Sequence, residues 1–179
     1  MKRRILDVKD PVLRMRAKPV EKIDKKVKGV ICDMKDTLLA QKDPEGVGLA
    51  APQIGKSLRI FLINFRGRSE IVINPEIITS SSKQQINKSK KGKQKRSILE
   101  GCLSLPHYYG PLKRASSIKI KYLSENGKTQ SKKFSGFLAQ IVQHEIDHLD
   151  GILFVDRILE QESPLYKLDG EEWEEVDLV

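Results

Sequence analysis

The feature that most constrains this chain is the sequence QHEIDHL at residues 143–149, which contains the pattern H-E-x-x-H. Successive helical residues are about 100° apart, so His144 and His148 lie one turn apart on the same face. Two imidazoles placed in this way can bind one metal ion, and Glu145 can reach a water molecule on that ion. The alternative is a surface helix with two solvated histidines. The chain has only three histidines, and two of them frame this glutamate, which favours the metal site.

The length indicates one domain, and we expect residues 1–179 to be a single catalytic domain that carries the H-E-x-x-H motif. We further expect a cytoplasmic monomer. The formal net charge of +9 favours polyanionic surroundings but specifies no fold. No apolar run approaches the roughly 18 residues that span a membrane, so we expect no membrane contact. Two cysteines, Cys32 and Cys102, are too few for a disulfide scaffold. Cys32 lies beside an apolar helical stripe and is expected to be half-buried.

Hydrophobic spacing predicts an α+β fold of mostly antiparallel strands around a central helix that carries the H-E-x-x-H motif. Asp24 is the candidate N-cap of a first helix, which residues 42–45 end. Ser135 is the candidate N-cap of the motif helix, and Gly151 can terminate it. The predicted strands occupy residues 58–64, 70–73, 76–79 and 114–123, with turns at 66–68 and 125–127 and a return strand toward Phe134.

Two segments differ from the rest in charge. Residues 80–97 form a predicted basic loop, with seven cations between Lys83 and Arg96 and no acid among them. Such a stretch repels itself, so we expect it to be solvated and mobile. Residues 159–179 form an acidic tail, in which residues 168–171 are typical of a hairpin turn.

A catalytic metal ion needs a third protein ligand besides the two histidines, with one position open for water. The residues alone leave Cys102, His107 and the acidic tail as candidates. A thiolate would bind zinc or iron(II) well.

The uncharged, glycine-rich segment 46–55 is a second candidate functional element, because glycine lets the backbone approach a partner closely. A tight packed turn before a strand is the alternative, and the segment lacks the Lys and Ser/Thr spacing of a phosphate-binding loop.

Three motifs together resemble those of the peptide deformylase family. They are GVGLAAPQ at residues 46–53, EGCLS at 100–104 and QHEIDH at 143–148, in the family's order and at plausible separations. The opening residues 10–20 are also similar to that family's N-terminal segment. The resemblance spans about residues 5–158.

This resemblance implies hydrolysis of the N-terminal formyl group from formyl-methionyl nascent peptides, with release of formate. It implies one divalent metal ion, Fe²⁺ or Zn²⁺, since a ligand set of one cysteine and two histidines suits both. It also implies specific roles for the motif residues: Cys102, His144 and His148 as metal ligands, Glu145 as the acid/base residue, Gln53 and the Leu103 N–H as oxyanion donors, and Gly46, Val47 and Gly48 as the substrate-binding segment.

The chain departs from the resemblance in places that concern docking and side-chain preference. The basic loop is longer and more basic than expected, the tail lacks a basic C-terminal helix, and Tyr109 stands where some members carry an arginine. An enzyme of nascent chains must find the ribosome, whose RNA phosphates attract cations and repel acids. The loop from Lys83 to Arg96 is therefore the candidate ribosome contact, although a solvated insertion that serves only solubility is the equal alternative.

Two other functions compete with this interpretation. The first is an H-E-x-x-H metallopeptidase whose third ligand comes from Asp169, Glu171 or Glu172, which leaves the other two motifs unexplained. The second is a non-enzymatic protein that binds the ribosome or nucleic acid through its basic charge. Against the second stands the presence of every ligand and catalytic residue that the resemblance requires.

Overall fold

The computed structural model describes residues 1–85 and 98–176. Within these ranges the chain forms three α-helices: α1 (Lys25–Leu39), α2 (Phe137–Leu149) and α3 (Phe154–Glu160). Short 3₁₀ helices occupy Pro11–Arg14 and Ala51–Ile54. The strands are β1 (Gly48–Ala50), β2 (Ile60–Phe65), β3 (Arg68–Ser80), β4 (Gln84–Gln85), β5 (Glu100–Cys102), β6 (Leu105–Gly110), β7 (Arg114–Ala115), β8 (Ser117–Leu123), β9 (Thr129–Ser135), β10 (Leu165–Asp169) and β11 (Glu172–Val176).

A five-stranded antiparallel sheet, in the order β1-β2-β3-β8-β9, separates two of the helices. Side chains alternate between the faces of a strand, and β2 shows the consequence directly. Phe61 and Ile63 belong to the cluster of buried residues that includes α2, whereas Ile60 and Leu62 belong to the cluster that includes α1. The expected α+β fold of antiparallel strands around the motif helix is confirmed.

Helix α2 is the central helix, and ten of its thirteen residues are buried. It begins after its N-cap residue, Gly136, which has a φ of 62°. Because glycine has no side chain, this N-cap makes no side-chain hydrogen bond. The prediction that Ser135 caps this helix is wrong, because Ser135 pairs with Ser117 at the end of β9. The predicted end at Gly151 is confirmed, with a φ of 76° one residue after the C-cap Asp150.

A second, four-stranded sheet has the order β11-β10-β6-β5 and covers α3. The apolar contacts below it come from Cys102, Leu112, Phe154, Ile158 and Leu165. The hairpin turn predicted at 168–171 is confirmed, since β10 and β11 pair from Asp169↔Glu172 outward. Most of the acidic tail is therefore a hairpin that extends this sheet.

The remaining predictions for secondary structure have mixed outcomes. Asp24 caps α1 by accepting a hydrogen bond from the Val27 N–H at 2.9 Å, as predicted. The turn at 66–68 is confirmed, and Arg66 and Gly67 both have positive φ angles, as a two-residue hairpin loop requires. The predicted strand at residues 70–73 and its extension at 76–79 lie in one continuous strand, β3, with a bulge between Ile73 and Glu76. Cys32 is exposed, so the prediction of a half-buried side chain is wrong.

The predicted basic loop is described only in part. Its first residues are ordered into strands, since Ser80 ends β3 and Gln84–Gln85 form β4 beside β7. The prediction of a mobile loop otherwise concerns residues 86–97, which lie outside the described residues. Among the described helices, none is long and apolar enough to cross a membrane.

Candidate metal centre

Helix α2 and strand β5 bring a thiol and two imidazoles together. His144 and His148 project from one face of α2, and Cys102 ends β5 directly opposite them. The Cys102 Sγ lies 3.2 Å from His148 Nε2, and the ligand atoms of the three residues lie within 4.8 Å of one another. A register shift between Gly101 and Cys102 breaks the regular pairing with β6 at this point. One ion could contact all three side chains.

The structure shows which of the candidate third ligands lies beside the two histidines. Cys102, His144 and His148 form the potential metal-binding group found among residues 1–85 and 98–176. His107 lines the neighbouring cleft but does not belong to this group. The carboxylates of the C-terminal hairpin do not belong to it either, so the metallopeptidase ligand set has no support.

A buried chain of ion pairs orients His144 from behind. The carboxylate of Glu100 lies 2.8 Å from His144 Nδ1, which leaves Nε2 free to face Cys102. Arg114 donates two hydrogen bonds to Glu100, at 2.6 and 3.0 Å, and a third to Asp147 at 2.6 Å. Arg157 of α3 donates two more to Asp147. Histidines that bind metal ions commonly hold a carboxylate at the second nitrogen, so this arrangement fits a ligand role for His144.

The electrostatics of the group favour a thiolate. Burial acts to raise the pKa of the Cys102 thiol, but the charges of His148 and His144 outweigh it and hold that pKa well below its usual value. Burial also opposes the charged form of His144, yet hydrogen bonds to Cys102 and Glu100 raise the pKa of its imidazole well above the usual value. The thiolate is the form of cysteine that binds metals, so the donor set fits a divalent ion.

Glu145 is buried beside this group without a full set of partners. It is 3% exposed, and its Oε2 has no hydrogen-bond partner within the described part of the chain. Burial raises the pKa of Glu145 to about 7, even though the neighbouring histidines act to lower it. A carboxyl group with such a pKa can accept and return a proton near neutral pH. A Cβ atom on Gly48 would overlap Glu145 Oε1, so the glycine makes room for this side chain.

Gln53 lies on the other side of the thiol. Its Oε1 accepts a hydrogen bond from the Ala50 N–H at 2.8 Å, which fixes the amide so that Nε2 points toward Cys102 Sγ at 3.6 Å and Ser104 Oγ at 3.2 Å. Gln53 is 1% exposed. The amide N–H group is therefore held next to the candidate metal position, where it could donate to an oxygen atom.

A cleft with mainly apolar walls opens onto these residues. Gly46, Val47 and Gly48 form one wall, and Leu103 lines the cleft directly after Cys102. Gly46 packs against Leu38 so closely that a Cβ atom would lie 2.5 Å from its Cδ1. Strand β1 is at the edge of the five-stranded sheet. An edge strand has unpaired backbone groups, which an extended peptide could pair with.

Every predicted site residue except His148 lines this cleft, and His148 lies beside the cleft, in contact with Cys102. Sequence reasoning missed the supporting ion pairs. Glu100 belongs to a quoted motif, yet no role was predicted for it. Its partner Arg114 is 14 residues away along the chain and Asp147 is 33 residues from Arg114.

A helical H-E-x-x-H pair with a nearby thiolate and a buried glutamate of raised pKa is typical of metal-dependent hydrolases.

Comparisons with known proteins agree with this class. Residues 2–163 match the model of the polypeptide deformylase family. A peptide deformylase of Dictyoglomus thermophilum is 44% identical over 161 residues, which cover 90% of this chain and 95% of the relative. The crystal structure of the Thermotoga maritima peptide deformylase is 38% identical with a TM-score of 0.77, covering 88% of this chain and 97% of that one. An Acinetobacter baumannii peptide deformylase with bound Met-Ala-Ser is 33% identical with a TM-score of 0.75, and the match covers 88% of this chain and 99% of that one.

The chain belongs to the polypeptide deformylase family. It is an enzyme of N-terminal protein processing that removes the formyl group from nascent peptides, as the relatives do, and the family depends on a metal ion. The resemblance found in the sequence is thereby confirmed, and a non-enzymatic binding protein has no support.

Proposed function

We propose that Cys102, His144 and His148 hold one divalent metal ion, Fe²⁺ or Zn²⁺, and that this centre hydrolyses the formyl group of formyl-methionyl peptides and releases formate. The observation that carries the proposal is the convergence of one buried thiol and two imidazoles within 4.8 Å. Both ions accept this mixed sulfur and nitrogen ligand set, so the ligands alone do not select between them.

When bound, such an ion lowers the pKa of a water molecule and polarises a carbonyl oxygen. Glu145 accepts a proton from the attacking water, for which its pKa of about 7 is well matched. The Gln53 amide and the Leu103 N–H donate hydrogen bonds to the oxyanion that develops on the formyl oxygen. Glu145 then returns a proton to the leaving amine. Its burial keeps bulk water from competing for this proton.

The substrate peptide binds as an extended strand along Gly46, Val47 and Gly48. Support comes from the edge position of β1 and from the cleft that these residues line. Backbone pairing of this kind is independent of side-chain identity, which suits an enzyme that acts on many nascent chains. The relative from Acinetobacter baumannii contains Met-Ala-Ser, and we expect a tripeptide of this kind to bind here.

The deciding experiment combines metal analysis with a turnover assay. The protein is purified without oxygen, its metal content is measured, and formate release is followed with formyl-Met-Ala-Ser. We expect about one divalent ion per chain, loss of turnover with a chelator, and recovery when Fe²⁺ or Zn²⁺ is added. Turnover that persists in fully metal-free protein would contradict the proposal.

Several further properties complete the proposal. Residues 1–179 act as one catalytic domain, the protein is a monomer, and it works in the cytoplasm, where nascent chains emerge.

Basic residues from Lys83 to Arg96 contact ribosomal RNA, because clustered cations release counterions on meeting phosphate. Co-sedimentation with ribosomes at low and moderate salt tests this contact against a variant with these cations changed to serine. Equal binding by both proteins would contradict it.

A further inference from the structure

The outer end of the cleft continues onto the C-terminal hairpin through two aromatic rings. Tyr109 of β6 lines the cleft, and the ring of Trp173 of β11 packs edge-on against it. The two ring centroids are 5.4 Å apart with an interplanar angle of 65°. Trp173 nevertheless remains 51% exposed. A large aromatic ring is thus fixed beside the cleft while much of its surface faces solvent, a feature that often marks a binding surface.

Strand pairing shows that this surface extends over one face of the sheet. Residues directly opposite each other on neighbouring strands point to the same face. Tyr109 lies opposite Tyr166, Tyr166 lies opposite Glu175, and Trp173 is two residues from Glu175. We call these four residues, Tyr109, Tyr166, Trp173 and Glu175, the aromatic ledge. Glu174 lies opposite Lys167 and faces the other side of the hairpin.

Three carboxylates lie on the ledge, on the cleft lining or near Tyr109, although the chain as a whole carries a net charge of +9. Glu175 is part of the ledge and is exposed, and Glu45 lines the cleft. The pKa of Tyr109 is raised by burial and, to a smaller extent, by the negative charge of Asp43. The outer end of the cleft is therefore locally acidic, and it combines this charge with exposed aromatic rings. Cations, and arginine in particular, bind to such a combination.

We propose that the aromatic ledge binds the part of the substrate peptide that follows its first three residues, with a preference for arginine or lysine there. This inference rests on the proposed function, because it extends the substrate along the same cleft. A peptide strand advances about 3.3 Å per residue, so about two residues bridge the distance from Tyr109 to Trp173. A cation over an exposed ring typically strengthens binding about two- to five-fold, which sets the size of the expected preference.

The test compares three formyl hexapeptide amides that share the first three residues. They are formyl-Met-Ala-Ser followed by Arg-Arg-Gly, by Gly-Gly-Gly or by Glu-Glu-Gly, and formyl-Met-Ala-Ser itself is the reference. We expect kcat/KM for the arginine peptide to be about two- to five-fold higher than for the glycine peptide, and the glutamate peptide to be the poorest. The difference should appear in KM with kcat unchanged, because the ledge is remote from the reacting carbon.

Variants of the ledge residues identify which of them cause the preference for the arginine peptide. Trp173→Ala should remove most of the preference, Trp173→Phe should retain part of it, and Glu175→Gln should reduce it. Glu174→Gln is the matched control, since it removes the same charge from the opposite face and should leave the preference unchanged. Turnover of formyl-Met-Ala-Ser should be the same in all four variants, which also shows that they are folded.

Fluorescence gives a second, independent measurement, because Trp173 is the only tryptophan in the chain. Titration with the product peptide Met-Ala-Ser-Arg-Arg-Gly amide should change the emission of Trp173, and titration with Met-Ala-Ser should change it much less. Equal kcat/KM for the arginine and glycine peptides, or a preference that persists in Trp173→Ala, would overturn the inference. Failure of the proposed function would look different, since formyl-Met-Ala-Ser would then not be hydrolysed at all.

Discussion

Replacing Arg114 with methionine would leave two buried carboxylates without the cation that they share. Arg114 is 7% exposed and connects Glu100, which holds His144, to Asp147 of the same helix. Methionine matches the length of the arginine stem but donates no hydrogen bond. The variant therefore tests whether this buried ion-pair network stabilises the motif helix in its position behind the metal centre.

The expected loss of folding free energy follows from the pKa of Glu100. Burial alone would raise its pKa, but the charge of Arg114, together with His144, lowers that pKa from 4.5 to about 2. Each pH unit of pKa difference corresponds to about 1.4 kcal/mol, so ionised Glu100 contributes about 3 kcal/mol to folding. This agrees with the roughly 3–5 kcal/mol typical of breaking a buried ion pair. Because the folded-state pKa is the lower one, the contribution is complete above pH 4.5 and is lost as pH falls toward 2.

The assay is urea unfolding of wild type and Arg114→Met with a chelator present, so that metal affinity does not contribute. We expect a loss of about 3 kcal/mol at pH 7 and a smaller gap as pH falls below 4.5. Arg3→Met is the matched control, because the Arg3 side chain is 44% exposed and its surface ion pair should contribute at most about 1 kcal/mol. Adding Glu100→Gln to Arg114→Met should recover part of the loss. A loss below 1 kcal/mol, or no dependence on pH, would refute the reasoning.

The remaining predictions concern the metal centre. Cys102→Ala should lose both bound metal and turnover, as shown by metal analysis beside the formate assay, because two imidazoles alone bind far more weakly. Glu145→Gln should retain metal but lose several orders of magnitude in kcat, since an amide cannot accept the water's proton. Gln53→Ala should cost about a hundredfold in kcat as one of several oxyanion donors. Gly48→Ala should retain metal and lose turnover, because the added methyl group would displace Glu145; unchanged turnover would contradict the geometry.

Periodic features of the sequence predicted the secondary structure well, because they depend on neighbouring residues. The spacing of His144 and His148, the cap at Asp24 and the turn at Gly67 each follow from local geometry, and the structure contains all three. The N-cap of the motif helix was the exception. Ser135 has a favourable side chain for capping, but strand pairing continues through it to Ser117. Tertiary pairing thus overrode a local preference and left Gly136 to turn the chain.

Contacts between distant segments could not be predicted from local patterns. Cys102 is 46 residues from His148, and nothing in the spacing distinguished it from His107 as a candidate third ligand. Only the resemblance to a family selected it. The network of Glu100, Arg114 and Asp147 was missed for the same reason, since no sequence period connects them.

Gly48 shows what a local sequence feature can predict and what it cannot. The sequence indicated that the backbone near this glycine approaches something closely, and the structure shows that the neighbour is the carboxylate of Glu145, 97 positions further along the chain. The conformational freedom of glycine can be read from one residue, but the identity of its neighbour depends on how β1 packs against α2. A missing side chain on the edge strand is therefore part of what leaves room for Glu145. For this reason, changing Gly48 tests the proposed acid/base role of Glu145 as directly as changing Glu145 itself.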